Sequence, residues 1–384
     1  MLSRYMLGAL TARTGDEMSG PALLVTGLAV TGSPVLASWL LAGLTVSSAA
    51  GGPLLGVLLD RARRPGRLLA YCLAGYAAGL LLLLAGLGRV PDAALVGLAV
   101  AVGLLGPALT GGWTAQLPLV ADPSRLARFT ALDSMIYNAA ALAGPALVGA
   151  AAAAGAGAAV LPLCAVLLLA ALPAAWSLPS RTGGGHVAGT VRGLAGDVRE
   201  GVGVIAGNLA LRRATAGSMV SCAGLAMWTV TAPVLGDRLA GDSGLGALLL
   251  AVTAACGLAA NGVLAAYGRG TRRWEAFLAG GTAVLGAGTA LAAVADAFWH
   301  AVVAAAVVGV GEGPQLTALF AVRHREAPAR LRGQVFTTGA SLKITSYALG
   351  SALAGPLAAY STGGALTAGA ALQAAALAIL LPRR

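Results

Sequence analysis

The chain has 384 residues, of which 58% are hydrophobic and only 10% charged, and its mean hydropathy is +0.83. Soluble domains are about half apolar and about a quarter charged, so this composition excludes a water-soluble fold. The net charge of +11 arises from 24 Arg and a single Lys against 14 acids; amid heavy Ala, Gly and Leu usage it suggests a GC-rich bacterial genome rather than a nucleic-acid-binding surface.

Apolar runs of about twenty residues, the length a helix needs to cross a bilayer, recur from end to end. In chain order, helices are predicted near 5–30, 35–59, 68–88, 92–117, 126–151 and 158–178. A polar stretch follows, and further helices are predicted near 213–236, 243–267, 274–294, 298–321, 331–359 and 363–381. The chain thus divides into a six-helix half at 1–179, a linker at 180–211 and a second six-helix half at 212–384. The first helix carries Arg13, Asp16 and Glu17, unlike the uncharged core of a cleavable signal peptide, and is read as permanent. Within the linker, Val191, Leu194, Val198, Val202 and Ile205 recur at near-helical spacing among charges, which predicts an amphipathic helix on the membrane surface. Cys72, Cys164, Cys222 and Cys256 stand singly in apolar segments, a pattern that predicts neither a disulfide framework nor a metal site. No cofactor is expected.

Arginine placement sets the expected orientation, because basic loops are retained in the cytoplasm. Alternate loops and the termini hold 21 arginines on one side, counting Arg323, Arg325, Arg330 and Arg332 in one such loop, against Arg89 and Arg238 on the other. Both termini are therefore expected in the cytoplasm of a bacterium, with the chain multi-pass in the inner membrane.

Sliding the chain by 206 residues places Gly56-Val57-Leu58 on Gly262-Val263-Leu264, and Gly144-x-Ala146-Leu147-x-Gly149 on Gly350-x-Ala352-Leu353-x-Gly355. One residue further, Pro107-x-Leu109-Thr110 falls on Pro314-x-Leu316-Thr317. Three matches in one order mark an internal repeat, so the two halves are pseudo-symmetric.

After the second predicted helix stands Gly56-Val-Leu-Leu-Asp60-Arg61-Ala-Arg63-Arg64-Pro65-Gly66-Arg67-Leu68. It resembles the signature loop of the major facilitator superfamily, with Arg63 in place of the second glycine and Pro65 in place of a basic residue. The second-half counterpart keeps Gly262, Leu264, Arg269, Arg272 and Arg273 but has Ala266 in place of the acid. Asp60 is placed to accept backbone N–H groups at a neighbouring helix N-terminus. The resemblance implies that this neighbour is the eleventh helix, beginning near Arg330-Leu331-Arg332-Gly333. Arg61 and Arg64 are then expected to pair with Asp122, closing a latch. Gly144-Pro145 resembles the signature of exporting members of the superfamily.

Ionisable groups within a membrane are costly and mark functional sites. Asp16, Glu17, Arg13, Glu312 and Lys343 are expected near mid-membrane, with Arg13 within reach of both acids and Glu312 facing Lys343; Asp133 is shallower. Tyr137, Asn138, Gln116, Trp113 and Trp228 add hydrogen-bonding or aromatic groups to candidate cavity helices. The only Lys lies in Ser341-Leu342-Lys343-Ile344, which lacks a P-loop pattern, and no cluster of catalytic groups suggests an enzyme. The expected function is proton-coupled efflux of a small organic molecule by alternating access, in a monomer whose partners are substrate, protons and lipid bilayer. Import on the same fold, and a membrane sensor that transports nothing, stand as alternatives.

Overall fold

The computed structural model describes residues 1–180, 191–240, 243–267 and 273–381. Arg181, His186, Arg269, Arg272, Arg383 and Arg384 lie outside the described residues, as do the side chains of Val191, Arg192 and Leu194. The described chain is helical: α1 (Leu2–Thr31), α2 (Pro34–Val46), α3 (Ser48–Arg61), α4 (Pro65–Gly86), α5 (Asp92–Gly103), α6 (Leu126–Ala153), α7 (Val160–Ala170) and α8 (Leu172–Trp176) precede α9 (Val191–Gly207). Then follow α10 (Leu209–Ala240), α11 (Ser243–Tyr267), α12 (Trp274–Ala293), α13 (Phe298–Glu326), α14 (Arg332–Tyr360) and α15 (Thr362–Leu380). In hydrocarbon every backbone polar group must be satisfied within its own segment, which leaves the helix as the form such apolar runs adopt.

Taking α2 with α3 and α7 with α8 as single interrupted crossings, and α9 as the linker, the described residues make twelve passes, six on either side of α9. By length and composition nine described stretches are apolar enough to span a membrane. Of the other three passes, α7–α8 is short, while α1 and α14 are long but more polar. Large apolar side chains including Trp39, Leu82, Val166, Val263 and Leu349 are turned outward, as lipid solvation requires.

Breaks in the helices have local causes. Gly32 ends α1 in the left-handed conformation at φ 64°, and the Ser33 hydroxyl then accepts from Leu36 N to start α2, with Pro34 in its first turn. The fourth pass is interrupted after Gly103 and resumes as a π-turn over Ala108–Gly112. Pro107 withholds a donor there, and Gly51 and Gly103 bring the second and fourth passes so close that an added Cβ would meet Leu104 O at 2.1 Å and Leu44 O at 2.0 Å. The tenth pass, α13, continues as helix to Glu326, past its expected end near 321.

Two compact units compose the described chain. One holds Met1–Pro123, Ala139–Val204 and Ala327–Ser341; the other holds Ser124–Asn138, Ile205–Glu326 and Leu342–Arg384. The units therefore depart from simple sequence halves: the first turns of α6 are grouped with the second unit, and the first turns of α14 with the first.

Candidate functional site

In the first unit, α3 lies against the start of α14 along a stripe of small residues one helical turn apart. A Cβ on Gly52 would lie 2.0 Å from Ser341 Oγ, and one on Gly56 would lie 2.4 Å from Gln334 Cα. This approach lets hydroxyls reach across: Thr337 donates to Gly52 O at 2.6 Å and Ser341 to Ser48 O at 2.6 Å. At the end of the stripe the Asp60 carboxylate accepts from Gly333 N at 2.7 Å and from Gln334 N at 2.8 Å. These are the second and third amides of α14, which lack intrahelical partners. Asp60 thus does from another helix what an N-cap side chain does locally, with the helix dipole favouring its charge.

The linker helix closes over this end. Asp197 pairs with Arg61 at 2.6 Å, Glu200 with Arg330 at 2.5 Å, and Gln334 Nε2 donates to Asp197 O at 2.8 Å. Gly201 sits where any side chain would strike the Gln334 amide. One expectation is corrected here: Arg61 takes Asp197 in place of Asp122, because α9 carries an acid to it. The same helix also docks on protein through Glu200 and Gly201. Arg64 caps α4 through its backbone.

Deeper in the same unit, Asp16 is the fifteenth of the 30 residues of α1, about 20 Å from its start at about 1.5 Å per residue. Its carboxyl faces the Tyr76 hydroxyl of α4. Ser19 Oγ lies 2.8 Å from Tyr76 Oη and 2.6 Å from the backbone oxygen of Asp16. Arg13, fully buried, donates to Thr114 Oγ1 at 2.7 Å. Glu17 marks the crossing of α1 with α6: an added Cβ on Gly144 would lie 2.7 Å from Glu17 Cβ and 3.0 Å from Met18 N. Pro145, one residue on, lies on the exposed side of α6.

In the second unit Glu312 is the fifteenth of the 29 residues of α13 and Lys343 the twelfth of the 29 of α14. The two lie within electrostatic reach of each other and of Cys222 on α10. Beside them a polar network spans four helices: Gln315 Nε2 donates to Ser221 Oγ at 2.8 Å and to Thr282 Oγ1 at 2.6 Å, while Ser221 Oγ donates to Gln373 Oε1 at 2.6 Å. Gln373 Nε2 returns a bond to Ser221 O at 2.8 Å. Asp133 is buried next to Ser134, which bonds Thr317; Thr317 in turn donates to Asn261 Oδ1 at 2.9 Å. Tyr137 stacks edge-on with Phe320, and Asn138 is half-buried a turn from Ser134.

Three further expectations are corrected. Trp113 and Trp228 are fully buried, the first against Tyr5 and Gly8, the second in an apolar cluster with Leu235, Leu249 and Leu285, so neither faces a cavity. Gln116 is also fully buried and donates to its own helix at Gly112 O. Arg323 is a fully buried helical residue rather than a loop charge, because α13 runs past it. Among residues the sequence reading passed over, Gln373 had a usable signal as a lone amide in an apolar helix, and so had Gln315 beside Pro314. Tyr76, Ser19 and Ser221 had none, since hydroxyls are ordinary in such helices.

The sequence pattern of the Major Facilitator Superfamily matches residues 5–355. The chain belongs to this superfamily. It is 27% identical over 369 residues to an uncharacterized MFS-type transporter of Sinorhizobium fredii, covering 92% of this chain and 87% of that one. The same fold is found in a bacterial homologue of the iron transporter ferroportin, with TM-score 0.78 at 15% identity, covering 99% of this chain and 98% of that one. It recurs in the human organic anion transporter MFSD10, with TM-score 0.75 at 15% identity and the same coverage. A fucose:proton symporter of E. coli aligns with TM-score 0.73 at 12% identity, again over 99% and 98%. The chain is thus a multi-pass membrane transporter of the secondary-transport fold.

Proposed function

We propose that this transporter exports a small organic molecule from the bacterial cytoplasm in exchange for protons, and that Asp16 carries the proton. The observation that carries the reading is the hydrogen count around Asp16. Three contacts join the Asp16 carboxyl to Tyr76, Tyr76 to Ser19, and Ser19 to the Asp16 carbonyl. With Asp16 ionised, two hydroxyl hydrogens serve three contacts. With Asp16 protonated each contact holds one hydrogen, running from Asp16 to Tyr76, to Ser19, and back to the Asp16 backbone. The ring therefore accepts one proton by reorienting the Tyr76 hydroxyl, without moving heavy atoms. Exchange of that proton for substrate needs only that it be gained and lost in different conformations.

Export is supported by Gly144-Pro145, which resembles the exporter signature and whose Gly144 packs on Glu17, next to the proton-carrying acid. Cytoplasmic termini are supported by the arginine bias, which survives the removal of Arg323 from the loop count.

The test uses purified protein in liposomes under an imposed pH gradient, with norfloxacin, ethidium and tetraphenylphosphonium as probes and an internal pH dye. Wild type is expected to exchange protons for at least one probe. Asp16→Asn should bind that probe yet lose proton-driven accumulation, and Tyr76→Phe should slow it several-fold. Undiminished accumulation by Asp16→Asn would move the proton to Glu17, Glu312 or Asp133. Protons and probe travelling together would make the chain an importer.

A further inference from the structure

The second unit presents an acid and a base at mid-helix without joining them. Glu312 and Lys343 are both half-buried and feel each other's charge. Among the described residues, however, neither belongs to an ion pair or hydrogen bond with the protein. A carboxylate offers about four acceptor positions and an ammonium three donors, and leaving such groups unanswered within a membrane is costly. Both side chains are long and flexible, and each lies close enough to feel the other's charge.

The neighbouring amides and hydroxyls do not answer these two groups. Gln315, Ser221 and Gln373 donate within this group, and Thr282 donates to Leu278 O in its own helix. That closed network ties α10, α12, α13 and α15 into a frame, from which Glu312, one turn before Gln315, and Cys222, next to Ser221, are held in fixed register.

We infer that Glu312 and Lys343 are the two poles of a binding site for a small zwitterion, Glu312 receiving its ammonium group and Lys343 its carboxylate. This rests on the transport reading above and gives it a substrate class. It also separates the two charged sites: the proton on Asp16 in the first unit, the substrate on Glu312 and Lys343 in the second. A ligand bearing both charges satisfies both poles at once, whereas an amine or an acid alone leaves one pole desolvated and unpaired, which is the basis of strong discrimination.

The test is equilibrium binding to purified protein with no gradient, so that it succeeds or fails independently of proton coupling. Two series differ in charge spacing: phenylalanine, phenethylamine and 3-phenylpropionate; and norfloxacin, its methyl ester and its N-acetyl derivative. Binding is read by thermal shift and by protection of Cys222 from N-ethylmaleimide, followed by mass spectrometry with Cys256 as internal reference. At least one zwitterion is expected to bind tenfold or more tightly than both of its singly charged analogues. Glu312→Gln should abolish the preference over the acid, Lys343→Gln the preference over the amine, and the double variant both. Should neither zwitterion bind, should all members of a series bind alike, or should the double variant keep wild-type selectivity, the assignment is overturned.

Discussion

Asp60 shows how much one carboxylate accomplishes when it meets two amides that have no other partner. Its bonds to Gly333 N and Gln334 N are charge-assisted, and such bonds are worth about 1.5–3 kcal/mol net. Asp60→Asn keeps the shape but removes the charge the α14 dipole favours, and one of the two acceptors becomes a donor facing an N–H. We expect turnover to fall about tenfold while the amount of folded protein in the membrane stays near wild type, as read by fluorescence-detected size exclusion; wild-type turnover would dissociate this contact from gating. Asp60 was legible in sequence because the signature loop names it and a helix N-terminus supplies the physical reason. Tyr76 was not, because the property that matters is its position opposite Asp16, and a Tyr in an apolar helix gives no hint of what it faces.

Among the elements, α9 invites the opposite expectation from Asp60. Its ion pairs are partly exposed, with side-chain accessibilities of 21% for Arg61 and 36% for Asp197, and 65% for Arg330 with 44% for Glu200. Exposed pairs of this kind contribute about 0–1 kcal/mol each, so Asp197→Ala should lower transport less than twofold, and far less than Asp60→Asn in the same assay. A loss as large as that of Asp60→Asn would make the linker helix an equal member of the latch. Helix existence was readable almost throughout, since period and length decide it, but the kinks were not: the break after Gly103 depends on the carbonyl of Leu44 lying 2.0 Å from where a side chain would start. The two long passes that fall short on hydropathy, α1 and α14, are those that bear Asp16 and Lys343. Low hydropathy in a long helix of such a chain is thus itself a pointer to chemistry.

At the scale of the whole molecule, orientation follows from charge. Single cysteines at Arg64, Asn208 and Arg325 are expected to react with a membrane-impermeant maleimide only from the cytoplasmic side, and those at Ser33, Gly155 and Thr362 only from outside; the reverse pattern would overturn the topology and with it the direction of export. The repeat itself was legible from three short matches, yet its inequality was not. The stripe Ser48, Gly52, Gly56, Asp60 corresponds at the 206-residue offset to Ala254, Leu258, Gly262 and Ala266. Opposite it, Gly333, Thr337 and Ser341 correspond to Ala127, Ala131 and Met135, and Met135 approaches where a Gly262 side chain would be. One copy is thus joined by hydrogen bonds along this stripe, while at the corresponding positions the other places apolar side chains in place of Thr337, Ser341 and Asp60. Bonds of the first kind stretch and exchange hydrogen with deuterated solvent only when the stripe parts. The Gly333 and Gln334 amides, which their own helix leaves unprotected, therefore act as a native isotope clock that runs at the rate at which Asp60 lets go.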